Sequence, residues 1–167
     1  MIKKLIYQLY VRLFFKKKKE WNRYMPINEL FVERHQKAKL MGLPEGTTIH
    51  DSTHVYGNVE IGKNTWIGPF TILDGTGNLK IGSNCSISTG VQIYTHDTVN
   101  WAISGGEKPY EYKGVEIEDN CFIGPNVVIQ SGVKIKMGTI VGANSFVNRT
   151  FPEHSKIAGS PARIILE

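Results

Sequence analysis

His96 closes the stretch VQIYTH, and a run rich in aromatic side chains follows it: Trp101, Tyr110 and Tyr112, with Asp97 directly beside the histidine. An unperturbed imidazole titrates near pH ~6.5, so in its neutral form it can accept a proton at cellular pH. A hydroxyl attacking a carbonyl needs that help, because it is a poor nucleophile until a base withdraws its proton as the new bond forms. A general base typically supplies about 10² to 10⁴ in rate. Asp97, Trp101, Tyr110 and Tyr112, together with Asp74, are the candidates for holding an acceptor next to such a base. For Asp74 and Asp97, turn chemistry is an equal alternative. Arg149, Lys156 and Arg163 offer cations for a phosphate-bearing ligand, plain surface charge being the alternative for Arg149 and Lys156. His35, His50, His54 and His154 fall at helical, turn or closing positions and are weaker candidates. A metal site needs several converging ligands. The repeats around His96 offer no second histidine, so no metal is expected.

What must position these residues is a repeat of six. Cut from Thr47, the chain reads TTIHDS, THVYGN, VEIGKN, TWIGPF, TILDGT, then an insertion of Gly77 and Asn78, then LKIGSN, CSISTG and VQIYTH. After an interruption it resumes as VEIEDN, CFIGPN, VVIQSG, VKIKMG, TIVGAN and SFVNRT. The third position is Ile, Val or Leu in all 14 units, and the first is Thr, Val, Leu, Cys or Ser. Apolar residues two apart face one side of a strand, while Gly, Asn and Asp at positions four to six suit a tight corner. Repetition at a fixed short period predicts a solenoid, each coil stacking on the last around an aliphatic ladder. Spacing alone leaves its handedness open, although crossovers between parallel strands are normally right-handed. The residues after His96 break the period. Long structureless connections are rare in compact domains unless they bind something, so residues 97–114 are read as an arm that embraces a ligand, with Ser104–Gly106 as its hinge.

The IGKNTW, IGPFTI, IGSNCS and IGPNVV units, with the ending KIAGSPARII, resemble the hexapeptide-repeat acyltransferases over roughly residues 47–165. The likeness is nearest to their sugar O- and N-acetyltransferases. It implies an all-β solenoid, a left-handed parallel β-helix, assembled as a homotrimer with acetyl-CoA bound between neighbouring prisms. It implies that His96 is the catalytic base, and that Phe122, Gly124, Ala143, Asn148, Arg149, Gly159 and Arg163 line the cofactor groove. One departure is plain: galactoside and maltose acetyltransferases often carry a sugar-holding Asn where this chain has Pro69, so its acceptor contacts must differ.

Three segments are expected: a helical, basic stretch at 1–46, the β-helix at 47–150 with its loop at 97–114, and a cap at 151–167. Within the first, Ile2, Leu5, Ile6, Leu9, Leu13 and Phe14 recur on one helical face, and one further helix over PINELFVERHQKAKLMG ends at Gly42, with Leu30, Phe31 and His35 facing the first coils. The formal charge of +5 is concentrated in KKKK at 16–19 with Lys3, Lys4 and Arg12. That is a local basic arm, which suits peripheral contact with an anionic membrane or packing within an oligomer and gives no reason to expect nucleic acid. Cys85 and Cys121 occupy repeat positions that otherwise hold small residues and read as core, not as a disulfide framework. No stretch is apolar enough to span a bilayer, and the basic run after the first helix breaks the signal-peptide pattern, so the cytoplasm is the default location. The expected activity is transfer of an acetyl group from acetyl-CoA to a sugar hydroxyl in surface-polysaccharide synthesis. N-acetylation of an amino-sugar nucleotide and a non-catalytic β-helix scaffold are the alternatives.

Overall fold

The computed structural model describes residues 2–165. It is a parallel β-solenoid of about 6 turns, a left-handed β-helix with a helical segment ahead of it. The six-residue period explains the shape directly. Most units form a strand of two or three residues and then a corner, His54–Ile61 and Ile72–Ile81 run on through a corner, and three units complete a triangular coil. On the first face, Thr48–Ile49, Trp66–Ile67, Ser86–Ile87, Phe122–Ile123, Ile140–Val141 and Lys156–Gly159 pair in parallel, and the antiparallel strand Ala162–Ile164 closes the stack. The second face carries the beginnings of His54–Ile61 and Ile72–Ile81, then Gln92–Ile93, Val128–Ile129 and Phe146–Val147. The third carries the ends of those two long strands, then Val115–Ile117 and Lys134–Ile135.

Third-position aliphatics fill the interior. Ile49, Ile67, Leu73, Ile87, Ile93, Ile123, Ile129, Val141 and Val147 are wholly buried, and each contributes roughly 1.5–3 kcal/mol by leaving water. First-position threonines are buried too, and in the early coils their hydroxyls find carbonyls of the next coil: Thr47, Thr53 and Thr65 donate to the Gly62, Gly68 and Gly82 oxygens, the last at 2.8 Å. Cys85 and Cys121 occupy the same kind of place, both free and buried, their thiols 3.2 Å from the Glu118 and Lys136 carbonyl oxygens. The corners demand a left-handed residue, and asparagine supplies it at Asn64, Asn84, Asn120, Asn126 and Asn144. Phe70 holds the equivalent corner at φ 58°, an uncommon conformation for a bulky side chain.

Ahead of the prism come α1 (Ile2–Trp21), α2 (Ile27–Phe31) and α3 (Arg34–Leu40). The single helix expected after Pro26 is in fact two. Val32 and Glu33 are extended, and Glu33 restarts the chain with a reciprocal capping box to Gln36, the arrangement in which side chains satisfy otherwise unpaired amides. Gly42, at φ 68°, ends α3. The face turned to the coils also differs from expectation: Leu30 and Ala38 are buried, whereas Phe31 and His35 are exposed. The KKKK run is not a uniformly solvated patch either, since Lys17 is buried against Glu33. The last two residues of the expected cap, 166 and 167, lie outside the described residues.

Candidate active site

His96 stands at the corner between the second and third faces, and three neighbours fix it there. Its coil is held below by the Ile72–Ile81 strand, whose two-residue insertion lets the chain bulge around the corner: the register against His54–Ile61 shifts at that point. Gly77 packs so closely that a Cβ would lie 2.3 Å from the Thr95 carbonyl oxygen, and its N–H donates to Thr95 Oγ1 at 2.8 Å. On the far side the excursion begins and ends as a two-stranded antiparallel ribbon, His96 opposite Tyr112 and Asp97 opposite Glu111. The arm is thus more ordered than its sequence suggests. A short helix, α4 (Val99–Ile103), follows, Trp101 meets Tyr110 edge-on at 5.4 Å, and Gly105 and Gly106 take positive φ.

The decisive contact is with Asp74. His96 Nδ1 lies 2.6 Å from Asp74 Oδ2, so an Nδ1–H donates to the carboxylate and leaves Nε2 with its lone pair free. The Asp74 side chain is only 3% exposed. Burial alone would raise its pKa, but the Thr76 hydroxyl, the Thr95 and Thr76 amides and His96 outweigh that and bring it down to about 2. Oδ1 accepts from Thr76 Oγ1 at 2.6 Å and from the Thr76 amide at 2.9 Å, and Oδ2 accepts from the Thr95 amide at 2.9 Å. Asp74, expected as an acceptor contact or as turn chemistry, is turned inward with its oxygens engaged by Thr76, Thr95 and the His96 imidazole. The imidazole side chain remains 37% exposed. It opens on a groove of about 320 Å³ lined by Tyr94, Asp97, Thr98, Val128, Gln130, Ser131 and Phe146. Larger hollows lie on the third face among alternating Glu and Lys side chains, and beside α2 and α3; neither includes a histidine.

The remaining candidates fall into separate places. Asp97, Trp101, Tyr110 and Tyr112 all belong to the excursion beside His96, Tyr112 with its ring 6.5 Å from the imidazole. Asp97 also accepts the Val99 amide at 2.7 Å, which is turn chemistry. Asn148 and Arg149 follow Phe146–Val147, and the register Gln92↔Val128↔Phe146 puts them on the His96 corner two coils further along. Phe122, Gly124, Ala143 and Gly159 instead occupy the first face or the corner after it, and Arg163 lies on the closing strand. Gly124 is buried, its N–H already bonded to the Val141 oxygen at 2.9 Å and its Cα pressed on the next coil. It can offer a ligand close approach but no free amide. Thr76, Thr95 and the groove residues Tyr94 and Gln130 were not singled out by sequence reading. The one signal pointing to them was the Gly77–Asn78 insertion. Among the described residues, no three His, Cys, Asp or Glu side chains cluster as a metal site.

Comparison with known proteins agrees with the repeat. The family model described as bacterial transferase hexapeptide (six repeats) matches residues 114–149, and the resemblance to hexapeptide-repeat acyltransferases holds. The chain is 26% identical over 127 residues to the galactoside O-acetyltransferase of Escherichia coli K12, covering 64% of this chain and 63% of that one. It is 35% identical over 78 residues to a 2,3,4,5-tetrahydropyridine-2,6-dicarboxylate N-acetyltransferase of Staphylococcus aureus, covering 47% and 32%. The chain thus spans less than two thirds of these curated relatives. Among solved structures, a hexapeptide-repeat-containing acetyltransferase from Vibrio cholerae superposes with TM-score 0.68 at 27% identity over 96% of this chain and 91% of that one. Its complex with acetyl coenzyme A gives 0.62 at 27% over 95% and 87%. A maltose O-acetyltransferase from Clostridium difficile 630 gives 0.61 at 25% over 94% and 87%.

Proposed function

We propose that this hexapeptide-repeat chain transfers an acetyl group from acetyl-CoA to a hydroxyl group of a sugar. The observation that carries the reading is the Asp74–His96 pair: a carboxylate that stays ionised fixes the Nδ1–H tautomer, and the partly exposed imidazole presents Nε2 at a groove. Acetyl-CoA supplies the thioester carbonyl. Nε2 accepts the acceptor hydroxyl's proton as its oxygen bonds to that carbonyl carbon, and the imidazolium so formed is stabilised by Asp74. It then returns the proton to the departing thiolate. The aromatic excursion, with Trp101, Tyr110 and Tyr112, supplies apolar rings of the kind that pack on a sugar, and Asp97 a polar contact at its base. A scaffold would not require an ionised carboxylate buried behind an open imidazole.

The proposed cofactor residues support a homotrimer. In one chain, Asn148 and Arg149 at the His96 corner are separated by the whole second face from Phe122, Ala143 and Gly159. A ligand lying between two prisms would meet one group from each subunit, with Arg149 and Arg163 as cations for its phosphates. A role in surface-polysaccharide synthesis, in the cytoplasm, fits this chemistry and the two unbridged cysteines.

The test is His96→Ala. With a hydroxyl acceptor, kcat should fall by on the order of 10² to 10⁴ while calorimetric CoA binding stays nearly unchanged. Near-normal turnover would remove His96 as the base. An amine acceptor, already nucleophilic when unprotonated, would be marked by partial recovery of the variant's activity as pH rises. Light scattering that gives a fully active monomer would contradict the shared cofactor groove.

A further inference from the structure

The first half of α1 carries a surface that the acetyl-transfer site does not use. Ile2, Leu5, Ile6 and Leu9 are exposed by 71, 66, 54 and 44%, and at 3.6 residues per turn they form one continuous aliphatic strip. Lys3 borders that strip on one side and Arg12 on the other, while Lys16, 3.9 Å from Glu20, continues the strip's line one turn beyond Arg12. The helix as a whole holds six lysines and one arginine against a single glutamate. Its second half is fixed to the rest of the chain: Lys17 is buried on Glu33, and Phe14 packs on Tyr24 with ring centres 5.2 Å apart. The first half is therefore held out from the prism with its aliphatic strip uncovered. It is no membrane span, since no helix among the described residues is long and apolar enough to cross a bilayer.

We propose that α1 lies in the plane of an anionic lipid surface, with Ile2, Leu5, Ile6 and Leu9 in the acyl boundary and Lys3, Arg12 and Lys16 on the headgroups. The charge pattern favours lipid over a second copy of the chain. A protein partner for this strip would have to present carboxylates at its rims, whereas the molecule's own exposed apolar hollow, lined by Phe31, Val32, Gln36, Lys39 and Leu40, carries a lysine and no carboxylate. A basic amphipathic helix at an interface combines two signals, apolar burial and attraction to anionic headgroups, and together they hold a protein there reversibly. The inference is independent of the acetyl-transfer reading.

Co-sedimentation of the full chain with vesicles decides it. Binding is expected to vesicles of phosphatidylcholine mixed with phosphatidylserine, to be weak on phosphatidylcholine alone, and to be released by salt. Replacing Lys3, Arg12 and Lys16 together by Gln should weaken partition by about 100-fold, since each basic residue near such a surface contributes a similar electrostatic increment. Leu5→Ser with Leu9→Ser should also weaken it severely. All five substituted residues lie on the α1 surface away from the prism core, so thermal melting and turnover of a soluble acceptor serve as folding controls. Equal binding by the wild type and both variants would overturn the proposal, as would no preference for anionic vesicles. A Leu5→Ser, Leu9→Ser variant that loses oligomer mass in light scattering while binding vesicles normally would overturn it too, and would assign the strip to a neighbouring subunit.

Discussion

Among the described residues two histidines pair with a carboxylate, and the two pairs are built for opposite ends. At the first coil, His50 Nδ1 lies 3.2 Å from Glu29 Oε2, with both side chains buried, and Glu29 Oε1 accepts from the Ser52 amide and hydroxyl. The His50 ring stands edge-on to Trp66 at 6.1 Å. Around it Lys37 reaches the carbonyl oxygens of His50, Asp51 and Thr53. This pair fastens α2 to the prism. Between the second and third coils, Asp74 is just as deeply buried, but His96 is open to a groove and to the rings of Tyr94 and Tyr112. A pair of this type becomes a usable base only when the second imidazole nitrogen reaches a place where an acceptor fits, so contact geometry alone does not identify chemistry.

The sharpest way to break this contrast is to remove each histidine in turn. His96→Ala is expected to cost on the order of 10² to 10⁴ in kcat with little change in melting temperature. His50→Ala should leave kcat within about twofold and lower stability by about 1–3 kcal/mol through the unpaired Glu29, which for a chain of this size is several degrees of melting temperature. Matching losses of kcat in both variants would erase the distinction.

Asp74→Asn comes next. It keeps the shape but lets the side chain donate as well as accept, and loss of the fixed tautomer should lower kcat by roughly 10²-fold or more while KM for acetyl-CoA changes little. An unchanged kcat would show that His96 needs no orienting partner. Asp74 also makes a stability prediction with a definite sign. Its folded pKa, about 2, lies below its ordinary value of 3.8, so the stabilisation it provides is complete above about pH 4 and is lost as pH falls through about 2. The wild type should therefore lose about 2 kcal/mol across that window beyond what Asp74→Asn loses. Chemical denaturation at a series of acid pH values measures the difference, and parallel curves would refute it.

The smallest expected effect is at Gly77. A Cβ there meets the Thr95 carbonyl oxygen at 2.3 Å, so Gly77→Ala must push the insertion away from the His96 corner. A several-fold loss of kcat with about 1–2 kcal/mol of destabilisation is expected, because the shift is local and the coils on either side keep their pairing. A variant as active and stable as the wild type would show that the insertion does not position the base.

Much of this molecule was legible before its structure. Alternation within two-residue strands and the left-handed corner residue are local properties of six consecutive amino acids, and repetition multiplied that local signal fourteen times. The solenoid, the buried ladder from Ile49 to Val147, the buried cysteines and a histidine at a corner therefore followed from sequence. The helical segment was read less well, because a five-residue helix, a capping box at Glu33 and a lysine buried at position 17 depend on what packs against them. The insertion marks Asp74 in the sequence, as an acceptor contact or as turn chemistry, without naming His96 as its neighbour. Asp74 reaches His96 across 22 residues, at a point where the two added residues bend the corner, and no periodic rule specifies which side chains meet there. Nor does the period say that Phe122 lies on the first face and Arg149 at the His96 corner. Period and polarity are written residue by residue, so the sequence determined the prism. Which carboxylate faces which imidazole, and which of two such pairs opens to solvent, is decided by how coils of unequal length stack, and that is a property of the tertiary structure alone.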